Sequence, residues 1–184
     1  MKKIIIAIDS FKGCLTSAEA GKAAEKGIKS INPSCHTSVI PIADGGEGLL
    51  DVLITATKGK YITLSAHGPL MKMAKTHYGL SGNGRTAIIE MAAISGLPLV
   101  PIEQRNPMLT TTFGTGELIK DALNKGCRNF IIGIGGSATN DAGLGMLQAL
   151  GFRFLDKSGH TLGTGGQIME AVANIDTSGI HPAL

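Results

Sequence analysis

One segment constrains the fold of this chain more than any other: Phe130-Ile-Ile-Gly133-Ile-Gly135-Gly136-Ser137-Ala-Thr-Asn140-Asp141-Ala-Gly-Leu-Gly145. A β-branched apolar run stops at paired glycines. Small hydroxyl, amide and acid side chains follow, and Leu144, Leu147 and Leu150 then recur at helical spacing. A strand that turns through bare backbone into a helix start is a unit of a sheet with helices on its faces. It also presents unpaired N–H groups at a positive dipole end, where phosphate groups bind. A plain strand-to-helix loop explains the same residues, so this segment alone leaves the two readings level.

The N-terminal region repeats that grammar. Lys3–Ala7 reads as a buried strand. Thr16-Ser-Ala-Glu19 is a capping box that opens a helix reaching Ser30, and Asn32-Pro33 breaks it. Thr37–Ala43 reads as a second strand and Leu49–Thr57 as a second helix, closed by Gly59. The middle differs, because Tyr61–Ala66, Lys75–Leu80 and Thr86–Glu90 are short strands divided by close turn signals, which predicts hairpins. From Thr112 the first pattern returns. It gives a helix over Glu117–Asn124 with Gly126 as its cap, a strand over Phe130–Ile134, and the residues of a further strand at Phe152–Leu155. The expectation is an α/β fold of two α/β lobes, largely parallel sheet with a mixed or antiparallel portion. Residues 1–66 would form the first lobe and 67–184 the second, both incomplete.

Composition narrows the function. Of 184 residues, 43% are hydrophobic, enough to bury a sizeable core. Glycine numbers 26, about twice the usual ~7%, and gathers in loops after apolar runs rather than in a linker. A net charge of +3, 4% aromatic residues and no Lys/Arg stripe argue against a nucleic-acid partner, and small anionic substrates suit the balance better. Cys14, Cys35 and Cys127 share no CxxC spacing and the five histidines are scattered, so neither a disulfide framework nor a zinc site is indicated. No segment reaches transmembrane length. The expected location is the cytoplasm, with no membrane partner.

Four loops share one style of small residues interleaved with acids and hydroxyls. They are Asp9-Ser10-Phe-Lys12-Gly13, Asp44-Gly-Gly-Glu47-Gly48, Thr110-Thr-Thr-Phe-Gly114-Thr115-Gly116-Glu117, and Gly135-Gly136-Ser137-Ala-Thr-Asn140-Asp141. Phosphoryl transfer needs N–H donors around the phosphates, a cation, carboxylates for Mg²⁺ and a group that orients the attacking hydroxyl. These loops supply each. Neither a Walker A pattern nor a protein-kinase glycine loop occurs, so a kinase here belongs to another class. Each charged residue also has a plain structural role open to it. Asp9 can bond its own loop, Lys12 can be solvated, and Asp44 and Glu47 can serve a helix dipole. Asp44 is the better placed of that pair for chemistry. Glu90, after Ile88-Ile89, reads as a salt-bridge partner or a metal ligand.

Taken together, the loops resemble the signature segments of bacterial glycerate kinases. The segments are Ile6-Ala-Ile-Asp9-Ser-Phe-Lys12-Gly13, Pro41-Ile-Ala-Asp44-Gly-Gly-Glu47-Gly48, Ile89-Glu-Met-Ala-Ala-Ile-Ser-Gly96-Leu97, Gly114-Thr-Gly-Glu117-Leu-Ile and Gly133-Ile-Gly-Gly-Ser-Ala-Thr-Asn140-Asp141. Five in order are specific where one is not. The resemblance implies ATP-dependent phosphorylation of D-glycerate with Mg²⁺, at an active site in the cleft between the two lobes. Asp44, Asp141 and Lys12 are then expected to be catalytic. Asp9, Ser10, Lys12 and Glu47 would bind substrate, and Gly114, Thr115, Gly116, Gly135, Gly136, Ser137 and Asn140 the nucleotide. Asp141 and Glu90 would hold the metal. The departures are Ala142 where the family often has Gly and Leu49 where Thr is common; neither removes a charge. Members of the family are considerably longer. The chain is therefore expected to match their N-terminal part and to be inactive alone, with homodimerisation as the other way to complete the cleft. A nucleotide-dependent oxidoreductase is disfavoured, because Ile4–Asp9 leads into Ser-Phe-Lys and not Gly-x-Gly-x-x-Gly. A non-catalytic sugar-acid sensor that regulates transcription would need a DNA-binding element, and no basic helix-turn-helix stretch occurs.

Overall fold

A computed structural model describes residues 3–184. Strands β1 (Lys3–Ile6) and β2 (His36–Val39) pair in parallel, joined through helix α1 (Ser17–Ile31). The Thr16 hydroxyl accepts from the Glu19 N–H at 3.2 Å, and the Glu19 carboxylate accepts from the Thr16 N–H at 2.9 Å, so the predicted capping box forms. Helix α2 (Leu49–Thr57) leads into a four-stranded sheet ordered β3 (Lys60–His67), β4 (Met73–Leu80), β5 (Thr86–Glu90) and β6 (Asn129–Gly133). Its first three strands are antiparallel neighbours, while β5 and β6 are parallel. Between those two, the chain crosses through α3 (Ala92–Ser95) and α4 (Phe113–Asn124). Helix α5 (Leu144–Ala149) and an antiparallel ribbon of β7 (Arg153–Leu155) and β8 (Asn174–Asp176) follow. The fold is mixed α/β, with parallel and antiparallel strands as the sequence predicts.

The alternation of side chains along a strand decides the layers. On β5, Ile88 packs with Leu50 and Ile54 of α2, while Ala87 and Ile89 join Leu118, Ile119, Ala122 and Leu123 of α4. All three β5 residues are fully buried, so this strand lies between two helical layers. Each large aliphatic side chain so buried contributes roughly 1.5–3 kcal/mol. Gly79 on β4 lets α2 lie close, since a Cβ there would stand 2.6 Å from the Leu50 side chain.

Strand β3 pairs along its length with β4, from Lys60–Leu80 to His67–Met73, so residues 60–66 share a sheet with residues 73–80. Two expectations need correction. Strand β1 is buried on one side only: Ile6 is buried but Ile5 is 60% exposed, because a two-stranded sheet covered by α1 leaves its other face open. Helix α4 starts at Phe113, which draws Gly114, Thr115 and Gly116 into its first turns. Among the described residues no helix is long and apolar enough to cross a membrane.

Candidate active site

Both parallel pairs end at the same place, which is where open α/β sheets bind ligands. The Gly135 N–H donates to the Gly45 carbonyl at 3.1 Å, and the Met91 N–H to the Gly133 carbonyl at 2.9 Å. Glu90, at the end of β5, accepts from the N–H groups of Gly48 and Leu50 at 3.2 and 3.3 Å and so holds the start of α2. The loops after β2 and β6 thereby meet backbone to backbone. A Cβ on Gly135 would lie 2.6 Å from the Gly46 Cα, and one on Gly133 would run into the Leu49 side chain and the Gly45 carbonyl. These glycines first of all permit that approach. Gly136, with φ at 72°, stays exposed beyond it. The Gly135 N–H is engaged, whereas those of Gly136 and Ser137 have no partner among the described residues.

The loop after β1 joins the same edge. The Ser17 hydroxyl donates to the Ile8 carbonyl at 2.6 Å and accepts from the Ile42 N–H at 3.0 Å, tying the loops after β1 and β2 together. Asp9 accepts from the Ser10 N–H at 2.7 Å. Asp44 accepts from the Gly46 N–H through Oδ1 at 3.0 Å, and its Oδ2 lies 3.9 Å from Lys12 Nζ. That ion pair is exposed on both sides and screened by water, so either partner can be drawn to a ligand at little cost. Glu47 is exposed on the same loop. Glu90 is half-buried. Burial pushes its carboxyl above the usual range, and the two backbone donors pull the other way. Ser10, Lys12, Glu47 and Glu90 line a cavity of about 570 Å³ closed by Phe11 and His77, within the ~300–1,000 Å³ of small-molecule sites.

Four of the sequence-predicted site residues lie elsewhere. Asp141 is 1% exposed. Its carboxylate accepts from the Thr112 N–H at 2.8 Å, the Gly143 N–H at 3.0 Å, the Gly145 N–H at 3.1 Å and the hydroxyls of Thr111 and Thr112 at 3.0–3.2 Å. With both oxygens accepting hydrogen bonds from within the chain, it joins the starts of α4 and α5. Gly114 and Gly116 are small so that α4 can pack: a Cβ would strike the His67 carbonyl at the first and the Met146 carbonyl at the second. Thr115 is buried, its hydroxyl 2.8 Å from that of Ser95. All three are buried in the first turns of α4. Asn140 is exposed just beyond Thr139.

Among the described residues no group of three or more His, Cys, Asp or Glu side chains gathers where it could hold a metal ion. Sequence reasoning passed over Thr111 and Thr112, whose roles follow only from where Asp141 folds. It also missed Arg105, an isolated cation in an irregular segment with no pattern to mark it.

Glycine loops, acids and a lysine thus gather at the ends of the parallel strands of an α/β fold. Comparison with known proteins makes the class specific. The chain belongs to the glycerate kinase family, whose sequence model matches residues 4–184. It is 53% identical over 182 residues to a glycerate kinase of Bacillus subtilis (strain 168), covering 99% of this chain and 48% of that protein. Glycerate 2-kinase of Escherichia coli (strain K12) is 50% identical with the same coverage. A crystal structure from Salmonella typhimurium LT2, assigned to glycerate kinase 2, superposes with a TM-score of 0.83 at 49% identity, over 97% of this chain and 48% of that one. The chain thus spans about half the length of the relatives it matches.

Proposed function

We propose that the protein carrying this chain transfers the γ-phosphoryl group of ATP to a hydroxyl of D-glycerate. The observation that carries the reading is the meeting of four strand ends, which sets Asp44 and Lys12 beside the joined glycine loops. Asp44, exposed and only loosely paired, orients or deprotonates the acceptor hydroxyl. Lys12 offsets negative charge on phosphate or carboxylate. The free N–H groups of Gly136 and Ser137 hold phosphate oxygens. Asp9, Ser10 and Glu47 stand on the same edge to position the substrate.

The residues fit a magnesium nucleotide. The larger cavity has the volume for one and is lined by Glu90, a hard oxygen ligand of the kind Mg²⁺ prefers, while Asp44 stands on the adjoining loop outside that lining. Mg²⁺ commonly takes only one or two carboxylates and draws the rest from phosphates and water, so a tight acidic cluster is not required. When bound, the ion neutralises charge on the phosphates. Glu90 replaces Asp141 as the protein's buried-side ligand in this reading.

The test is calorimetric titration of the protein, as its gene encodes it, with MgATP, NAD and glycerate, followed by NMR of the product. Binding of MgATP and glycerate, with ADP formed only when glycerate is present, is the expected result. Tight NAD binding without ATP binding would remove the kinase reading. The position of the phosphate on the product identifies the hydroxyl.

A further inference from the structure

A second cavity of about 250 Å³ opens beside Ser137, Ala138 and Thr139, on the loop that reaches the joined glycines two residues earlier. Arg105 and Asn106 face Ser137 and Thr139 across it, and Thr110 completes the polar lining. No acidic side chain lines this cavity. Arg105 donates from Nε to the Val100 carbonyl at 3.3 Å, which fixes the base of its side chain. Its two terminal amino groups have no partner among the described residues, and no carboxylate pairs with it.

The hydroxyls of Ser137 and Thr139 lie 2.8 Å apart, and Ser137 Oγ also accepts from the Thr139 N–H at 3.0 Å. Whichever hydroxyl donates to the other, one proton of the pair stays free to point into the cavity. The cavity therefore combines an uncompensated guanidinium with at least one free hydroxyl donor. A planar guanidinium fork matches a carboxylate or phosphate edge-on.

We propose that this cavity is an anion subsite in which Arg105, Ser137 and Thr139 take the carboxylate of the hydroxy-acid acceptor. The shared chemistry is a small oxyanion, and size selects its source. At about 250 Å³ the cavity is less than half the volume of the larger one, which suits a three-carbon acid better than a nucleoside triphosphate. The larger cavity is the one that suits a nucleotide. The identity of the acid rests on the kinase reading above; the anion site itself rests on the cavity and its donors.

The experiment is steady-state kinetics on the protein as its gene encodes it, with Arg105→Gln, Arg105→Lys and Thr139→Val. Arg105→Gln should raise KM for glycerate about 10- to 100-fold, the range for hydrogen bonds to a charged group, and leave KM for MgATP within about threefold. Arg105→Lys keeps the charge but loses the fork, and should recover part of the loss. The parent should discriminate strongly against glyceramide, which lacks the carboxylate, and Arg105→Gln should lose that discrimination. A rise in KM for MgATP alone would assign the cavity to a nucleotide phosphate and overturn the proposal, as would unchanged KM for both. Should Arg105→Gln fail to fold, Thr139→Val carries the same comparison with a smaller, several-fold effect. Should the parent show no kinase turnover, NMR titration with glycerate and with inorganic phosphate still decides. Glycerate shifting the Arg105 Nε and Ser137 resonances supports the subsite; no binding, or phosphate alone, overturns it.

Discussion

The four-stranded sheet and the β1–β2 pair are made of similar residues and differ in what covers them. In the first, Tyr78, Ala87, Ile88 and Ile89 are fully buried among α2 and α4. In the second, Ile5 is 60% exposed, and Ile40, just after β2, is 49% exposed. The same contrast governs their acids. Asp141 lies in the well-packed region and is held by backbone and threonine donors, whereas Asp44 stands on the loop after β2 with a distant lysine. Packed surroundings turn a carboxylate into a structural joint; a thinly covered edge leaves one able to meet a ligand.

The largest effect that would break this contrast is on stability. Asp141→Ala strands the buried N–H groups of Thr112 and Gly145, each costing about 1–3 kcal/mol when unsatisfied. Unfolding in denaturant should show a loss of about 3 kcal/mol or more, and a loss under about 1 kcal/mol would return Asp141 to the candidates for chemistry. Next comes Asp44→Asn, which should lower kcat by at least about 10²-fold while unfolding within about 0.5 kcal/mol of the parent. Normal turnover in that variant withdraws the role given to Asp44.

The smallest effect concerns Glu90, on the boundary between the two regions. Burial raises its carboxyl pKa, so the folded chain holds its proton to higher pH than the unfolded chain does. Its contribution therefore falls as pH rises from the ordinary glutamate range through the raised value, and is level above it. Glu90→Gln lacks that titration and keeps an oxygen for the Gly48 and Leu50 N–H groups. Thermal unfolding against pH should show the variant gaining on the parent across that window. Parallel profiles would mean that the carboxyl is not desolvated as the fold requires.

Much of the fold was legible because it is written in short-range patterns. The capping box at Thr16–Glu19, α2 over Leu49–Thr57 and β5 over Thr86–Glu90 follow from spacing, caps and turn residues along a few positions of chain. Where β3 belongs was not legible, because pairing partners lie outside the segment that defines a strand. The site was read in outline: the loops at residues 9–13, 44–48 and 133–137 do meet. The difference in burial between Asp44 and Asp141 was not legible, since the two look alike beside their glycines.

The sequence by itself determined the helices, the strands, the hairpins and the glycine loops that end the parallel strands, since each depends on local sterics and hydrogen bonding. Only the tertiary structure decided which acid is saturated and which is free, which glycines serve packing, and that Arg105 shares a cavity with Ser137 and Thr139. Burial and hydrogen-bond partnership are set by residues distant in the chain, up to 42 positions apart for Glu90 and Gly48, and no local pattern encodes them.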